Sequence, residues 1–581
     1  MKTKLKAYTA GFLTCLMIIS TVAWAATGGV MREVFYGVRV VVNGIEQNFA
    51  EDMQPFITGG RTFLPVRGIA DALDLPVDWD EDTYTVYIGR RPGQARIGAT
   101  HLNVVAATIP WQFDPSRSLD SATAFGATQI FNTLVVLCYD TMDVLPSLAV
   151  NWQMPDAQTV TMELRRGVYF HNGDPLTAHD VKFSLERAAL SPEGWFIAGA
   201  IDYVTVYDDY NFTIHLLIPF APILRNLAQP MTSIVPMNHV LAVGEDFFAY
   251  NPIGTGPFMF DHMILNDRLW LVGNPNYWNG APQIENLIIR VVPDASTRLI
   301  EVADGTTDIA LSISHIDADF AEEEAGITLL REPTFGFDYI GFNVSIEPWS
   351  NPLVMQAMNY ALGGQRIGET VFGPAAAPIT SHLPPSIWGY AQVEPFTHNI
   401  DRARELMAEA GYADGFGRPV EIWWNIPNRQ RQQIGEFVQF YLALLNIEVL
   451  IVGMEWSALL DLTGWGGDGE HDMFTMAWIV ATGDADYGLY TLFHSSNHGA
   501  AGNRTFTHNR DLDRLLEAGR AEIDPTRRAA IYAEALQILR DHPSVVPIRQ
   551  HVALAAISDN LRGFSLSPTQ NHRFCGVYFV D

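Results

Sequence analysis

Cysteine is scarce in this chain, with three residues in 581. Cys15 falls in an apolar N-terminal run, so only Cys138 and Cys575 remain elsewhere, too few to imply a disulfide framework. Common catalytic motifs are also missing: there is no Gly-x-Ser-x-Gly, His-Glu-x-x-His, P-loop or Cys-x-x-Cys. Residues 464–469 match Gly-x-Gly-x-x-Gly, but Asp468 would repel a pyrophosphate, so a loop is expected there. The sequence therefore indicates neither an enzyme nor a cofactor site.

Basic residues are few: the chain has 36 lysines and arginines and 65 acidic residues, which gives a formal net charge of −29. This balance argues against nucleic acid as a partner, because its phosphates would be repelled. No long apolar run follows the N-terminus, so no membrane span is expected there. The hydrophobic fraction of 48% is typical of a globular protein, and the length requires two or more domains.

The first 25 residues have the pattern of an export signal. Three lysines precede an apolar run from Ala10 to Val22, and Ala23-Trp24-Ala25 supplies a small-x-small cleavage site. Cleavage would remove three lysines and no acids, taking the net charge from −29 to −32. We therefore expect an exported mature protein. An uncleaved membrane anchor is the alternative, although the apolar run is short for a span.

Residues 34–91 have the pattern of a small α+β module. Asn43-Gly44 after Val38–Val42 predicts a hairpin, 68–73 a short helix, and 77–80 and 83–88 two more strands. The whole pattern resembles the N-terminal domain of copper amine oxidases. However, no His or Cys lies between 34 and 90, and copper prefers imidazole or thiolate ligands, so no metal site is expected. A stalk or surface-association role is expected instead, with a linker at 90–94.

Clear local signals follow from Thr159 onward. Thr159–Leu164 alternates polar and apolar residues as a half-buried strand does, and Asn172–Pro175 marks a turn. Thr177 and Asp180 have the spacing of a capping box. The helix that they begin has an apolar stripe at Val181, Leu185 and Ala188. Strands alternate with helices further along, which indicates α/β layers.

These segments resemble the extracellular solute-binding proteins of family 5, the binding components of ABC importers. Further motifs match in the same order: Pro252–Phe258, Asn274–Trp278, Val292–Arg298, Tyr339–Asn343 and Asp401–Gly411. The resemblance implies a two-lobed, periplasmic-binding-protein-like α/β fold over 98–581, with an extra subdomain in the first lobe. It implies a first lobe at about 98–340 and 546–581 and a second at about 341–545. The crossings between them are expected near Tyr339–Asn343 and Val545–Arg549.

The resemblance also indicates a ligand-facing segment at 477–490. In peptide-binding relatives an aspartate of this segment pairs with the ligand ammonium, and a tryptophan lines a pocket. We therefore predict ligand contacts from Trp478, Tyr487 and two aspartates. Asp484 is the first choice for the partner of the ligand amine, and Asp486 is the second. The spacing departs from the family, because Asp484 follows Trp478 by six residues rather than three. The alternative is that one or both aspartates only cap or stabilise the loop.

Other polar residues are weaker candidates. Arg429 and Arg431 lie in a polar loop of the second lobe and are candidates for a ligand carboxylate. His494 and His498 are four residues apart, but the sequence between them predicts a loop, so a metal pair is weakly supported. His171 lies in a turn motif and is expected to be structural.

The expected function is therefore capture rather than catalysis. An exported, monomeric binding protein would close its two lobes on a short peptide and deliver it to an ABC permease and its ATPase. It would need no cofactor or metal and would meet the membrane only through the permease or an uncleaved anchor. Binding of nickel chelates, haem or glutathione on the same scaffold is an alternative, because fold does not settle ligand. A wall-associated sensor or adhesion role is another.

Overall fold

The computed structural model describes residues 100–117, 120–464 and 471–580, together with ten short strands between residues 16 and 88. Contacts within the chain divide it into two compact units, Met1–Ala95 with Glu301–Thr306, and Arg96–Ile300 with Thr307–Asp581. Within the described residues, no helix combines the length and the hydropathy needed to cross a bilayer.

The described part of Met1–Ala95 contains short strands: β1 Leu16–Met17, β2 Val22–Thr27, β3 Val30–Tyr36, β4 Val38–Arg39, β5 Val41–Val42, β6 Ile45–Glu46, β7 Phe56–Thr58, β8 Arg61–Phe63, β9 Val77–Asp80 and β10 Thr85–Ile88. β2, β3, β7 and β8 form an antiparallel sheet. Val42 pairs with Ile45, so β5 and β6 pair as the predicted hairpin requires. Most of the export signal predicted at 1–25, the helix at 68–73 and the linker at 90–94 lie outside the described residues.

The second unit alternates strands with helices, as predicted. Its strands are β11 His101–Ala106, β12 Val135–Leu137, β13 Val144–Pro146, β14 Ala149–Asp156, β15 Thr159–Leu164, β16 Ile201–Val206, β17 Asn211–Leu216, β18 Phe258–Ile264, β19 Arg268–Gly273, β20 Asn286–Val291, β21 Ile309–Leu311, β22 Ile327–Phe342, β23 Ala376–Ala377, β24 Val420–Asn425, β25 Val449–Met454, β26 Met473–Ile479, β27 Val545–Ser558, β28 Leu561–Arg562 and β29 Tyr578–Phe579. Its helices are α1 Ser121–Ile130, α2 Ala178–Leu190, α3 Trp195–Ala198, α4 Ile223–Asn226, α5 Met237–Val243, α6 Glu245–Tyr250, α7 Ala295–Ala303, α8 Ala318–Glu323, α9 Pro352–Leu362, α10 Gly364–Phe372, α11 Ile400–Glu409, α12 Arg429–Ala443, α13 Trp456–Gly464, α14 Ala485–Phe493, α15 Arg510–Ala521 and α16 Pro525–Asp541.

An eleven-stranded mixed sheet runs through this unit in the order β18-β19-β20-β11-β21-β27-β22-β26-β24-β25, with β23 beside β27. β22 and β27 are its longest strands, with 16 and 14 residues, and they pair antiparallel in its middle. β11 and β18–β21 lie on one side of them and β24–β26 on the other. The two long strands therefore join two lobes, as the predicted two-crossing topology requires.

The pairing of β22 with β27 is interrupted at the junction of the lobes. The register slips between Pro333 and Phe337, and proline, which has no N–H to donate, is suited to such a bulge. From Gly336 onward β22 pairs with β26 and so belongs to the second lobe. The crossings thus lie near 333–336 and 550–552, displaced from the predicted positions toward the first lobe. A bulge depends on pairing between distant strands, so the motif did not reveal it. The predicted positions were Tyr339–Asn343 and Val545–Arg549.

A separate antiparallel sheet, in the order β14-β15-β17-β16, forms the expected subdomain of the first lobe. α2 packs against it with its predicted apolar stripe fully buried. The carboxylate of Asp180 accepts a hydrogen bond from the backbone N–H of Thr177 at 2.9 Å, as the predicted capping box requires. Local signals therefore predicted this subdomain accurately.

The second lobe buries side chains on both faces of its part of the sheet. α9–α12 cover one face, where Ile340 and Phe342 of β22 are buried. α13–α16 cover the other, where Phe337 and Tyr339 are buried. Successive residues of β22 therefore point into opposite cores, in keeping with the two-residue repeat of a strand. Packing on both faces holds the strand ends of this lobe in position.

Candidate functional site

The carboxyl ends of parallel strands from both lobes face one another across the crossings. β11 is parallel to β21, and β21 runs antiparallel to β27, so both end toward the second lobe. β24 is parallel to β26, and β26 runs antiparallel to β22, so both end toward the first lobe. In open α/β sheets, ligands bind outside the carboxyl ends of the strands. The opposed strand ends therefore define the candidate site.

Large apolar side chains stand partly exposed at these strand ends. Trp111 follows β11 in the first lobe. In the second lobe Ile426 follows β24, Trp456 follows β25, and Ile479 ends β26. Each exposes between 41% and 50% of its surface. Both lobes therefore offer apolar contact area to a molecule held between them.

Arg431 adds positive charge to the second-lobe side of the site. It lies in the first turn of α12, directly after the end of β24. Its Nη1 donates to Asn425 Oδ1 at 2.5 Å, and its guanidinium lies 5.6 Å from the centre of the Trp456 ring. Burial lowers the pKa of Arg431, but a guanidinium keeps its charge in proteins. Arg431 can therefore pair with an anionic group, whereas Arg429, also predicted as a candidate, is exposed.

Asp484 is fully buried at the start of α14, where its side chain accepts from the N–H of Asp486 at 2.9 Å. Arg528 of α16 binds both carboxylate oxygens, at 2.7 and 2.8 Å. Arg225 of α4, in the first lobe, places its Nε 3.3 Å from Oδ2. Burial opposes ionisation, but the arginines outweigh it and hold the pKa of Asp484 below its ordinary value. One buried carboxylate thus pairs with arginines of both lobes.

Asp486, in the first turn of α14, is also paired. Arg520 of α15 donates to its two carboxylate oxygens at 2.8 and 3.2 Å. The Arg520 guanidinium lies 3.3 Å from the centre of the Tyr490 ring. Burial disfavours the charge of Arg520, but Asp486 offsets this and raises the pKa of the arginine above its ordinary value. The charge of Asp486 is therefore balanced within the lobe.

The contacts of both aspartates agree with the alternative interpretation, in which they stabilise the loop. A solute ammonium that approached Asp484 would have to displace a guanidinium bound in bidentate geometry, which is the strong form of this pair. The amine-binding role stays a prediction that these contacts do not support.

Two arginines at this site, Arg225 and Arg528, were missed in the sequence. Arg528 had a signal: it lies four residues before Tyr532, on the buried face of α16. Because arginine is rarely buried unless paired, that position calls for an acidic partner. Arg225 had no comparable signal, since its partner lies in the other lobe.

Trp478 and Tyr487, the other two predicted ligand residues, lie together. Their rings are nearly parallel, with centres 5.5 Å apart, and both side chains are partly buried. Burial raises the pKa of Tyr487 to about 12. The indole Nε1 of Trp478 is buried and has no acceptor among the described residues. A buried donor without a partner is costly, so an acceptor placed against this N–H would stabilise it. Their ligand contacts stay a prediction.

The three histidines considered in the sequence form hydrogen bonds within the protein. Nδ1 of His494 hydrogen-bonds a serine hydroxyl at 2.7 Å, and Nε2 of His498 a backbone carbonyl at 2.9 Å. His171 Nε2 contacts another carbonyl at 3.0 Å, and burial lowers its pKa to about 4. In the part of the chain that the structure describes, no group of three His, Cys, Asp or Glu residues is arranged to hold a metal.

Two α/β lobes joined by two long strands, with a site between opposed strand ends, define the class of two-lobed solute-binding proteins. The chain belongs to the bacterial extracellular solute-binding proteins of family 5, whose model matches residues 143–500. Residues 41–111 match the copper amine oxidase N-terminal domain. Both resemblances seen in the sequence are therefore confirmed. Membership of the first family also confirms the predicted export to the cell exterior or periplasm.

Individual relatives match about four fifths of the chain. The dipeptide-binding protein of Escherichia coli is 28% identical over 516 residues, which is 83% of this chain and 95% of the relative. The glutathione-binding protein GsiB of Salmonella choleraesuis is 30% identical over 471 residues, 79% of this chain and 91% of the relative. The structure of HbpA2 from Haemophilus parasuis superposes with a TM-score of 0.75 at 27% identity, over 83% of this chain and all of that one.

Proposed function

We propose that this protein is the binding component of an ABC importer for short peptides or peptide-like solutes. The observation that carries the proposal is the set of opposed strand ends, with apolar side chains from both lobes and an unpaired indole donor between them. The relatives that bind dipeptide and glutathione support this solute class. The protein acts by capture, and no bond is made or broken.

Capture proceeds by closure of the lobes about the crossings, where the bulge at 333–336 interrupts regular pairing. Two contacts between the lobes support this closure: the N–H of Ala221 donates to the carbonyl of Arg520 at 2.7 Å, and Nε of Arg225 lies 3.3 Å from Oδ2 of Asp484. A solute stabilises closure only by as much as it binds the closed form better than the open form. The closed form then delivers the solute to the permease and ATPase.

Within the site, each type of group has a distinct role. Arg431 binds a carboxylate of the solute through its remaining N–H donors. The indole N–H of Trp478 donates to a solute carbonyl. Trp111 and Trp456 supply apolar contact from opposite lobes. This set suits a small molecule that carries an acid, an amide and apolar groups, as a short peptide does.

The proposal is tested by native mass spectrometry of the purified mature protein, followed by calorimetry with di- and tripeptides. Arg431→Gln should weaken binding of peptides with a free carboxylate about tenfold or more and leave carboxamide peptides unchanged. Arg429→Gln, an exposed neighbour on the same helix turn, is the matched control and should bind as the wild type does.

Equal loss in both variants, or none in either, would remove the assignment of Arg431. A retained haem or metal-containing mass, or failure of every peptide to bind, would overturn the peptide class. Release of cleaved peptide would show an enzyme.

A further inference from the structure

A cavity of about 230 Å³ lies between the subdomain of the first lobe and the helices of the second, beside the strand-end site. It is bounded on one side by α3 and the chain after β17, and on the other by α14 and α15. Neither lobe encloses it alone. The cavity therefore exists only when the lobes are together.

The first-lobe wall is apolar. Trp195, the first residue of α3, is 50% exposed, and Leu217 and Ile218 after β17 are 57% and 45% exposed. Three large apolar side chains on one side of one cavity are a costly surface for a monomer in water. Covering this wall stabilises the protein, so the wall favours an apolar occupant.

The second-lobe wall carries no unbalanced charge. Tyr487 and Tyr490 line it from α14, and Arg520 lines it from α15. Asp486 binds two nitrogens of Arg520, and the guanidinium lies flat against Tyr490 at 3.3 Å. Two aromatic rings and a neutralised guanidinium face therefore stand in this wall beside Thr491, Asn497 and Ala501. Such rings and such a face suit an aromatic or aliphatic group better than a charged one.

The cavity lies next to the strand-end site, because Tyr487 lines the cavity and also stacks on Trp478. Its volume is below the roughly 300–1,000 Å³ of sites that enclose a whole drug-sized ligand, so it holds one group rather than a whole solute.

We propose that this interlobe cavity is a subsite for one aromatic or large aliphatic side chain of the captured solute, with Trp195 as a specificity-determining residue. The proposal rests on the proposed function, because it assumes that a peptide-like solute occupies the neighbouring site. Since both lobes supply walls, a side chain that fills the subsite binds the closed form and not the open one. Filling the subsite therefore favours closure.

The test is competition among tripeptides Ala-Xaa-Ala, Xaa-Ala-Ala and Ala-Ala-Xaa, with Xaa as Gly, Ser, Leu, Phe or Trp, followed by calorimetry. The wild type should prefer Phe, Trp or Leu over Gly at one position by about tenfold or more. Trp195→Ala and Leu217→Ala should each reduce that preference severalfold and leave affinity for the Gly and Ser peptides unchanged. Tyr207→Ala removes an aromatic ring that is 63% exposed on the same subdomain but does not line the cavity, and should change nothing.

Two different results would contradict the subsite, and they can be told apart. If peptides bind but Xaa has no effect, or if Trp195→Ala keeps the preference, the subsite is refuted and capture of peptides stands. If no peptide binds the wild type, the proposed function and the subsite fail together. Thermal melts of each variant show that a lost preference is not lost folding, and unchanged affinity for the Gly peptide is a second check.

Discussion

Replacement of Arg528 by methionine tests whether the Asp484 carboxylate is held by arginines or serves a solute. Asp484 is fully buried, and the Arg528 side chain is 6% exposed. The change leaves a buried carboxylate with the N–H of Asp486 at 2.9 Å and, as its remaining cationic partner among the described residues, the more distant Arg225 at 3.3 Å. Loss of one partner of a buried pair costs about 3–5 kcal/mol, because the remaining charge is desolvated without compensation. We expect about 3 kcal/mol for Arg528→Met, since Arg225 remains.

The assay is urea unfolding of the mature protein at neutral pH, followed by tryptophan fluorescence. Arg527→Met is the matched control, because this neighbour is 71% exposed and its ion pairs lie at the surface, worth less than about 0.5 kcal/mol. The double variant Asp484→Asn with Arg528→Met should regain much of the loss, since it removes the uncompensated charge.

The same variant has a defined pH dependence. In the wild type the pKa of Asp484 is lowered, so its pairing contributes stability above the unfolded pKa, and that stability is lost as pH falls through the folded pKa. Without Arg528 the effect of burial dominates and the folded pKa rises. The stability gap between variant and wild type should therefore narrow from pH 7 toward about pH 5. A loss below about 1 kcal/mol, or a gap that does not change with pH, would refute this account of Asp484.

Two further changes test burial and closure. His382 is buried, its ring nitrogens have no partner among the described residues, and burial lowers its pKa to about 3. In the unfolded chain this histidine takes up a proton near pH 6.5, so the wild type loses stability as the pH falls from 7 to 5. His382→Leu lacks this group, and its loss of stability over the same range in urea titrations should be about 2 kcal/mol smaller. Parallel pH profiles of the two proteins would contradict this. Arg225→Ala removes the contact of Arg225 with Asp484 and its contact with the Trp388 ring, whose centre lies 5.4 Å from the guanidinium. Because these contacts join the lobes, the variant should bind peptides severalfold more weakly and show a larger radius of gyration in small-angle scattering. Arg166→Ala, whose guanidinium lies over Tyr210 within the subdomain, is the control, and equal behaviour of the two variants would exclude Arg225 as an interlobe contact.

Much of the fold was accessible from short-range patterns. The capping box at Thr177, the pairing of β5 with β6 and the apolar stripe of α2 all appear in the structure. These features depend on residues a few positions apart, whose geometry is set by backbone conformation and spacing. The opening segment and five further motifs in the same order then identified the family and its two lobes. Local signals and motif order therefore determined the class of the protein.

The candidate site was less accessible, because its chemistry depends on residues that meet only after folding. Asp484 was predicted as a binding residue, but its partner Arg528 lies 44 residues away and Arg225 lies in the other lobe. A sequence shows the carboxylate and not the guanidinium that neutralises it. Likewise, the bulge that sets the crossings arises from the pairing of β22 with β27, and the apolar cavity at Trp195 needs walls from both lobes. The sequence by itself determined which elements form and to which family they belong. The tertiary structure decided which charges are paired and which surfaces face the solute, because both depend on contacts between distant residues.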